Sequence, residues 1–220
     1  MQFSIGVAGN LDRIVYSVLR RVGIADRSLL FCWDIETLAR VPLHLPDRFE
    51  FIELPIEASR TLIDCNPNFD WATFQNVSSD RFRCFVMRGE EGTKAYAWIG
   101  IGEIPPQHNS NVHKWTGLPI YLDGETAYLF AAFVTPSSRG QRLYSSLISH
   151  IARTLQQGGI RRISLTTDLA NSPAIKAIQR MGFTFCGETR FTAIAGWKRV
   201  SYKVDPSFLP CRFGKYVAEE

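Results

Sequence analysis

A short polar turn between an apolar run and an amphipathic run carries the residues best suited to chemistry. Residues 133–144 read FVTPSSRGQRLY. The first backbone N–H groups of a helix lack partners within the helix and lie at the positive end of its dipole, so a helix starting here could bind phosphate or pyrophosphate. Every strand–turn–helix offers this feature. The segment by itself fits an anion site and a plain scaffold turn equally well.

The patterns on both sides of this turn predict a buried strand and a helix. Residues 127–134 (AYLFAAFV) are uniformly apolar, as expected of a central strand buried on both faces. After Pro136 the period changes to that of a helix, which ends at Gly158-Gly159. The apolar positions of this helix recur every four residues, at Leu143, Leu147, Ile151 and Leu155.

A second strand and helix follow this pair. Residues 162–167 are strand-like, and Ser172-Pro173 begins a helix, with Ser172 as the N-cap and Pro173 at the first helical position. Gly182 is the expected C-terminal stop. The residues expected to face inward are Ala174, Ala177, Ile178 and Met181.

Two blocks of the chain together resemble a known family. V-x-P-x-x-R-G at 134–140 is similar to the cofactor motif of the GNAT superfamily of acyl-CoA-dependent N-acetyltransferases, and Asn171, Ala174 and Gly182-Phe183 resemble its next helix and strand. The resemblance covers residues 49–204. It implies an α/β fold with a mixed sheet and helices on both faces, and acetyl-CoA (CoA) as the cofactor.

The resemblance also implies roles for particular residues. Arg139 matches the opening residue of the cofactor motif, and the strand around Phe133 and Val134 would pair with pantetheine. A backbone N–H near Val134 would polarise the thioester carbonyl. Asn171 would hydrogen-bond the pantetheine arm, and its alternative is a polar residue preceding a helix cap. The complete set of expected cofactor contacts is Phe133, Val134, Arg139, Gly140, Gln141, Arg142, Leu143, Tyr144, Asn171 and Ala174.

Three positions depart from the family pattern. Arg142 and Tyr144 stand where the family has glycines that let the backbone approach the phosphates closely. Their side chains must point away, or the turn binds CoA less tightly; Arg142 could instead add a charge-assisted contact. Ile178 stands where many members have a tyrosine that protonates the departing thiolate.

The general base is open in the sequence. Amide formation needs a neutral amine, so a base or a water relay must take a proton. Asp168, at the end of a predicted strand, and the hydroxyl of Tyr128 are the catalytic candidates. The structural alternatives are a carboxylate that caps a loop for Asp168 and a buried aromatic ring for Tyr128. Glu103 and Glu125 flank a long loop and remain further candidates. An aromatic acceptor pocket could be formed by Trp98, Trp115, Tyr121 and Phe130, although core packing explains Trp98 and Phe130 equally well.

The rest of the chain divides into three predicted parts: an N-terminal extension (1–47), a GNAT-like domain (48–204) and a tail (205–220). In the extension, 10–22 is a helix and 28–34 a strand, followed by a Pro-containing linker at 42–47. The predicted inward face of this helix consists of Leu11, Val15, Val18, Leu19 and Val22. The domain would then contain a strand at 49–54, two short helices within 55–76, a hairpin of 81–87 with 94–102, a polar loop over 103–124, and closing strands around 183–186 and 193–204.

Composition narrows the class of function. The net charge of +4 comes from scattered basic residues, which is not the clustered pattern of a nucleic-acid-binding protein. The five cysteines are widely spaced and form no metal-ligand pattern with the histidines, and no stretch is long enough to span a membrane, so we expect a cytoplasmic protein without a metal. The expected function is transfer of an acetyl or short acyl group from acetyl-CoA to a primary amine, of a small molecule or a protein, by direct attack in a ternary complex. The alternatives are a non-catalytic acyl-CoA-binding or sensor module, and an acyltransferase with a different acyl-CoA donor or a hydroxyl acceptor; the oligomeric state is left open.

Overall fold

Antiparallel strand pairs organise both compact units of the chain, which we analysed as a computed structural model. The first unit comprises 1–33, 103–123 and 164–220, and the second comprises 34–102 and 124–163. The structure describes residues 10–21, 25–40, 49–74, 77, 80–109, 116–194, 197–205 and 211–214. The predicted linker at 42–47 and Trp115 lie outside this range.

The described helices are α1 (Asn10–Arg21), α2 (Leu143–Gln157) and α3 (Ser172–Arg180). The described strands are β1 (Ala25–Asp34), β2 (Glu50–Leu54), β3 (Phe82–Gly89), β4 (Gly92–Ile101), β5 (Glu103–Ile104), β6 (Ile120–Leu122), β7 (Thr126–Val134), β8 (Arg162–Asp168), β9 (Thr184–Ile194), β10 (Trp197–Val204) and β11 (Cys211–Phe213).

In the second unit the strand order is β7-β4-β3-β2, and each neighbouring pair is antiparallel. The predicted hairpin is confirmed with a tighter turn, because Gly89 already pairs with Gly92. Helix α2 packs on β3, β4 and β7. Its four-residue apolar period is the reason, since the positions Leu143, Leu147, Ile151 and Leu155 are all buried.

In the first unit the strand order is β10-β9-β1-β8, so a strand from the N-terminal part of the chain lies inside the sheet. β1 pairs antiparallel with β9, from Ala25 opposite Thr192 to Cys32 opposite Thr184. Its residues Leu29–Trp33 are all buried, which fits the apolar run LLFCW. The predicted strand at 28–34 is therefore confirmed and begins three residues earlier. The limits 1–47, 48–204 and 205–220 stay a prediction.

Helix α1 is confirmed, but the apolar face predicted to pack inward is exposed at the positions that the structure describes; the Leu11 side chain and Val22 lie outside them. Val15, Val18 and Leu19 are 49%, 58% and 37% exposed. The helix instead buries Tyr16, whose hydroxyl oxygen accepts a 2.7 Å hydrogen bond from the backbone N–H of Arg27. Anchoring by this polar group, rather than by the aliphatic stripe, sets the rotation of the helix about its axis.

Two further predictions need correction. The short helices expected within 55–76 are 3-10 segments, at Glu57–Asp64 and Trp71–Thr73. Pro55 and Pro67 lie on either side of the first segment and leave few residues for a cooperative α-helix between them. The loop expected over 103–124 contains β5 and β6, which form a small sheet with β11 in the order β11-β6-β5.

Replacing Tyr16 by phenylalanine should lower the free energy of unfolding by about 1–3 kcal/mol, because the Arg27 N–H loses its acceptor inside the protein. The matched control is Tyr202→Phe, since the Tyr202 side chain is 54% exposed and its ring is retained. Urea unfolding curves of both variants measure the difference. Equal stabilities for the two variants would contradict the anchoring role of Tyr16.

The free energy of unfolding should also fall as the pH is lowered from about 6.5 towards 4. Burial lowers the pKa of His108 to about 4, whereas a histidine in the unfolded chain titrates near 6.5. Between these values the unfolded chain binds more protons, so acid favours unfolding, and the loss is complete below the folded pKa. Urea midpoints across this range should show a component that His108→Gln removes. Parallel profiles for the two proteins would mean that His108 is not held neutral by burial.

Candidate functional site

The turn between β7 and α2 has the backbone geometry of an anion site. Pro136–Ser138 form a 3-10 turn, and Gly140 has a φ of 82° with open space at the position a Cβ would occupy. Within the described part of the chain, the N-cap Arg142 makes no side-chain capping hydrogen bond to α2. The first N–H groups of α2 therefore lack the usual side-chain acceptor. They lie at the positive end of the helix dipole.

Arg142 has a φ of 59°, in the left-handed region that favours glycine. A residue with a Cβ is strained in this conformation, so the turn holds Arg142 at a cost that glycine would avoid. The side chain of Arg142 is exposed, as is that of Arg139, whose Nε donates to the carbonyl of Val134 at 3.4 Å. Two guanidinium groups thus lie on the turn at the positive end of α2.

The C-terminal end of β7 carries a β-bulge. Phe130 pairs with Trp98 and Phe133 pairs with Tyr96, so Ala131 and Ala132 together oppose one residue of β4. Ala131 has a φ of 46°, which is unusual for a residue other than glycine. Both alanines are exposed, so the prediction that 127–134 is buried on both faces is wrong at this end. The bulge is the reason, because it turns this backbone away from the ladder.

Contacts from β4 hold the bulged end in place. The Phe133 ring stacks on Tyr96 with 5.6 Å between centroids, and the Tyr96 hydroxyl accepts a 2.7 Å hydrogen bond from Nδ2 of Asn66. Burial raises the pKa of Tyr96 to about 12, so it stays protonated. The N–H of Thr135 donates to the carbonyl of Lys94 at 2.9 Å. Among the described residues, Oγ1 of Thr135 is buried with no hydrogen-bond partner, an unused donor at the start of the turn.

A cavity of about 290 Å³ opens beside the turn. The ammonium group of Lys94 lies 2.7 Å from a carboxylate oxygen of Glu91 at its edge. The cavity is lined by Phe49, Gly89, Glu90, Glu91, Lys94, Ser137, Ser138 and Gln141.

The remaining cofactor candidates lie in the first unit, at the start of α3. Asn171, not the predicted Ser172, is the N-cap: its Oδ1 accepts from the N–H of Ala174 at 3.3 Å. Because the Asn171 side chain already accepts from the N–H of Ala174, the cap lies one residue earlier than predicted. The buried residues of α3 are Ile175 and Ile178, whereas the predicted Ala174, Ala177 and Met181 are half-buried. Ile178 is 2% exposed and packs as an aliphatic core residue.

Asp168 and Tyr128 are both buried. Asp168 is 5% exposed; it accepts from the N–H of Ala170 at 2.6 Å, and its Oδ2 lies 3.2 Å from the Tyr16 hydroxyl. Tyr128, in the second unit, is 1% exposed and stacks on Phe130 with 5.9 Å between centroids. Asp168 thus caps the loop after β8, and Tyr128 packs as a core aromatic, which are the structural roles weighed for them.

The other candidates have structural partners. Glu125 lies 3.6 Å from the guanidinium groups of Arg161 and Arg162. Glu103 pairs with Tyr121 between β5 and β6, and the Tyr121 ring lies 5.3 Å from the guanidinium carbon of Arg212. Trp98 and Phe130 are 0% and 7% exposed.

Sequence reasoning missed the bulge, Thr135 and the Tyr16 anchor. The adjacent alanines in an otherwise bulky strand are a signal for the bulge, because small side chains tolerate close backbone approach. No sequence feature marks the other two. Among the described residues, no group of three or more His, Cys, Asp or Glu side chains is placed to hold a metal, and no helix is long and apolar enough to cross a membrane.

Comparison with known proteins decides the family. Residues 48–183, more than half of the chain, match the model of the acetyltransferase (GNAT) family. The chain belongs to this family. Membership confirms the predicted resemblance to the GNAT superfamily, the GNAT-like α/β fold and acetyl-CoA as the cofactor. No curated protein matches the sequence.

Solved structures share the GNAT fold at low sequence identity. A Drosophila protein has a TM-score of 0.53 at 14% identity, over 84% of this chain and 57% of its own. A GCN5-related N-acetyltransferase from Kribbella flavida has a TM-score of 0.50 at 12% identity, and the match covers 89% of this chain and 66% of that protein. A tandem GNAT protein from the clavulanic acid biosynthesis pathway has a TM-score of 0.52 at 11% identity, and the match covers 90% of this chain and 60% of that protein. The chain therefore spans less than two thirds of each of these proteins.

Because the backbone at position 142 is left-handed, glycine should be preferred there over alanine. Both Arg142→Gly and Arg142→Ala remove the guanidinium group, and the glycine variant should be more stable by about 1 kcal/mol. Arg139, with a φ of −66°, is the control: there the alanine variant should be more stable, by roughly 0.5–1 kcal/mol. Denaturant unfolding of the four variants gives both differences. The same sign at both positions would contradict the described turn.

Proposed function

We propose that the chain transfers an acetyl or short acyl group from acetyl-CoA to a primary amine. The observation that carries the proposal is the continuous path from the bulged, exposed end of β7 through the left-handed turn to the uncapped start of α2. It combines the exposed backbone of a bulged strand, for an amide-containing arm, with helix N–H groups for an anion. Pantetheine and pyrophosphate are the two parts of CoA that need these partners.

CoA would lie with its pyrophosphate on the first N–H groups of α2, around Gly140, Gln141, Leu143 and Tyr144. Arg139 and Arg142 would add positive charge to this end. The pantetheine arm would run back along β7 from Val134 towards Ala131. The bulge frees backbone N–H groups from the ladder, and one of them would polarise the thioester carbonyl. Asn171 and Ala174 of the first unit stay proposed cofactor contacts, since only Oδ1 of Asn171 is used in capping α3.

The reaction would proceed by direct attack. The amine nitrogen forms a bond to the acyl carbon, the C–S bond breaks, and CoA leaves as a thiolate. The amine must lose a proton, for which Asp168 and Tyr128 remain the proposed groups, acting directly or through water. Since Ile178 cannot donate a proton, the thiolate would leave unassisted or take a proton from another group. No cysteine lies in residues 126–157, so no acyl-enzyme is proposed.

The acceptor would be the amine of a small molecule or of a protein. An acyl donor other than acetyl-CoA, or a hydroxyl acceptor, is a variant of the same chemistry. A cytoplasmic location is part of the proposal, because the five cysteines are odd in number and widely spaced, which is typical of reduced thiols.

A non-catalytic acyl-CoA-binding module is the second candidate. The burial of Asp168 and Tyr128 and the aliphatic Ile178 favour it, because each removes an obvious proton-transfer group. Release of free thiol from acetyl-CoA in the presence of an amine library separates the two. Amine-dependent release that Asp168→Asn or Tyr128→Phe reduces supports the enzyme; cofactor binding without any release supports the module.

Acetyl-CoA should raise the melting temperature of the protein. A ligand at 100 times its dissociation constant adds about 2.7 kcal/mol to the stability of the folded state. Arg139→Ala together with Arg142→Ala should reduce the shift, whereas Arg60→Ala, an exposed arginine of the same unit, should not. If no acyl-CoA or CoA changes the melting temperature, the cofactor proposal for this chain is wrong.

A further inference from the structure

The accessible part of β7 ends abruptly at one aromatic ring. Ala131 and Ala132 are exposed and Phe133 and Val134 half-buried, whereas Phe130 is 7% exposed. Exposure therefore stops within one residue, at the end of the bulge farthest from the turn.

Phe130 is held by rings on several sides. The Phe74 ring lies parallel to it with 6.0 Å between centroids, and the Phe82 ring meets it edge-on at 5.9 Å. The Trp98 ring lies 6.4 Å away, and its centroid is 4.4 Å from that of the Phe74 ring, to which it is tilted. Trp98, Phe74 and Phe82 are at most 5% exposed. The ring of Phe130 is thus a fixed wall and not a side chain that can swing aside without displacing its neighbours.

The direction of the cofactor brings its acyl end to this wall. This step rests on the proposed function, with pyrophosphate at the start of α2 and pantetheine running back along β7. A thioester carbonyl at Ala132 would then lie within about 7 Å of Phe130 along the strand, since Phe130 and Phe133 pair with residues only two apart on β4. A two- or three-carbon acyl group fits in this distance. A longer chain continuing in the same direction meets the ring.

We propose that Phe130, backed by Phe74, limits the acyl donor to short chains such as acetyl. Phe130 is then a specificity-determining residue, and the segment that carries Phe74 sets the depth of the acyl site. The wall lies on the face of β4 that carries Trp98. Phe51 lies on the opposite face, where it stacks on His150 with 4.3 Å between centroids.

The test measures dissociation constants of CoA, acetyl-CoA, hexanoyl-CoA and decanoyl-CoA for the full chain and for Phe130→Leu, Phe74→Leu and Phe51→Leu. In the unaltered protein, hexanoyl-CoA should bind at least about tenfold more weakly than acetyl-CoA. Phe130→Leu should reduce this ratio, and Phe74→Leu should reduce it partly, because its ring supports the wall from behind. Phe51→Leu, which removes a ring of equal size from the opposite face, should leave the ratio unchanged.

Each outcome decides the matter. Binding of CoA with equal affinities for acetyl-CoA and hexanoyl-CoA in the unaltered protein overturns the length limit and leaves the proposed function intact. A changed ratio in Phe51→Leu equal to that in Phe130→Leu also overturns it, because the effect would not be specific to the wall. Failure of CoA itself to bind overturns the proposed function, and the length limit with it. Since a ratio of affinities is measured in each variant, a loss of stability in Phe130→Leu does not imitate the expected result.

Discussion

The ladder between β4 and β7 is interrupted at a single place, and the candidate site depends on that interruption. Two alanines oppose one residue of β4, and the first of them has a left-handed backbone. A regular strand would have used its N–H and C=O groups within the sheet and buried both faces. The bulge instead leaves two exposed residues directly before the turn, and the start of α2 has no side-chain cap. The backbone is therefore accessible to a ligand at both places. Buried neighbours maintain the strain at Ala131 and Arg142. Trp98 of β4 packs next to the bulge, and Leu143, which follows Arg142, is buried at the start of α2.

Packing around this interruption is asymmetric. One face of β4 receives α2 with its aliphatic period, and the other receives the rings of Phe69, Phe74 and Phe130. Aliphatic side chains on a helix allow a regular interface. The rings of Phe69 and Phe74, which lie between and after the two 3-10 segments, fill an irregular one together with Phe130 of β7. The aromatic face therefore ends in a wall at the bulge, and the hydrogen bond between Asn66 and Tyr96 fixes the segment that carries it. In the first unit a hydroxyl group has the comparable role, since Tyr16 connects α1 to the backbone of β1 and to Asp168.

Much of the fold could be predicted because local sequence patterns specify it. The four-residue period of α2, the uniform apolar run of β7 and the Gly-rich hairpin turn each specify one element with little help from distant residues. The cofactor turn was found from its arginine and glycine, and its family from the pairing with Asn171 and Gly182-Phe183. The predicted inward face of α1 failed because periodicity reports amphipathicity but not which neighbour is available. The N-cap of α3 moved by one residue because Asn171 and Ser172 are both good caps and only the local φ and ψ angles decide. The adjacent alanines are a local signal for the bulge, but the Thr135 hydroxyl and the wall at Phe130 depend on register and long-range contacts, which no single segment encodes.

Amide hydrogen exchange with and without saturating acetyl-CoA tests the central claim most directly, because it reads the backbone groups that the account assigns to the cofactor. The account predicts slower exchange in two short segments, Ala131–Val134 at the bulge and Leu143–Ser145 at the start of α2, with little change in β2, β3 or the end of α2. Unchanged exchange at both segments under saturating acetyl-CoA, or protection confined to other parts of the chain, would contradict it.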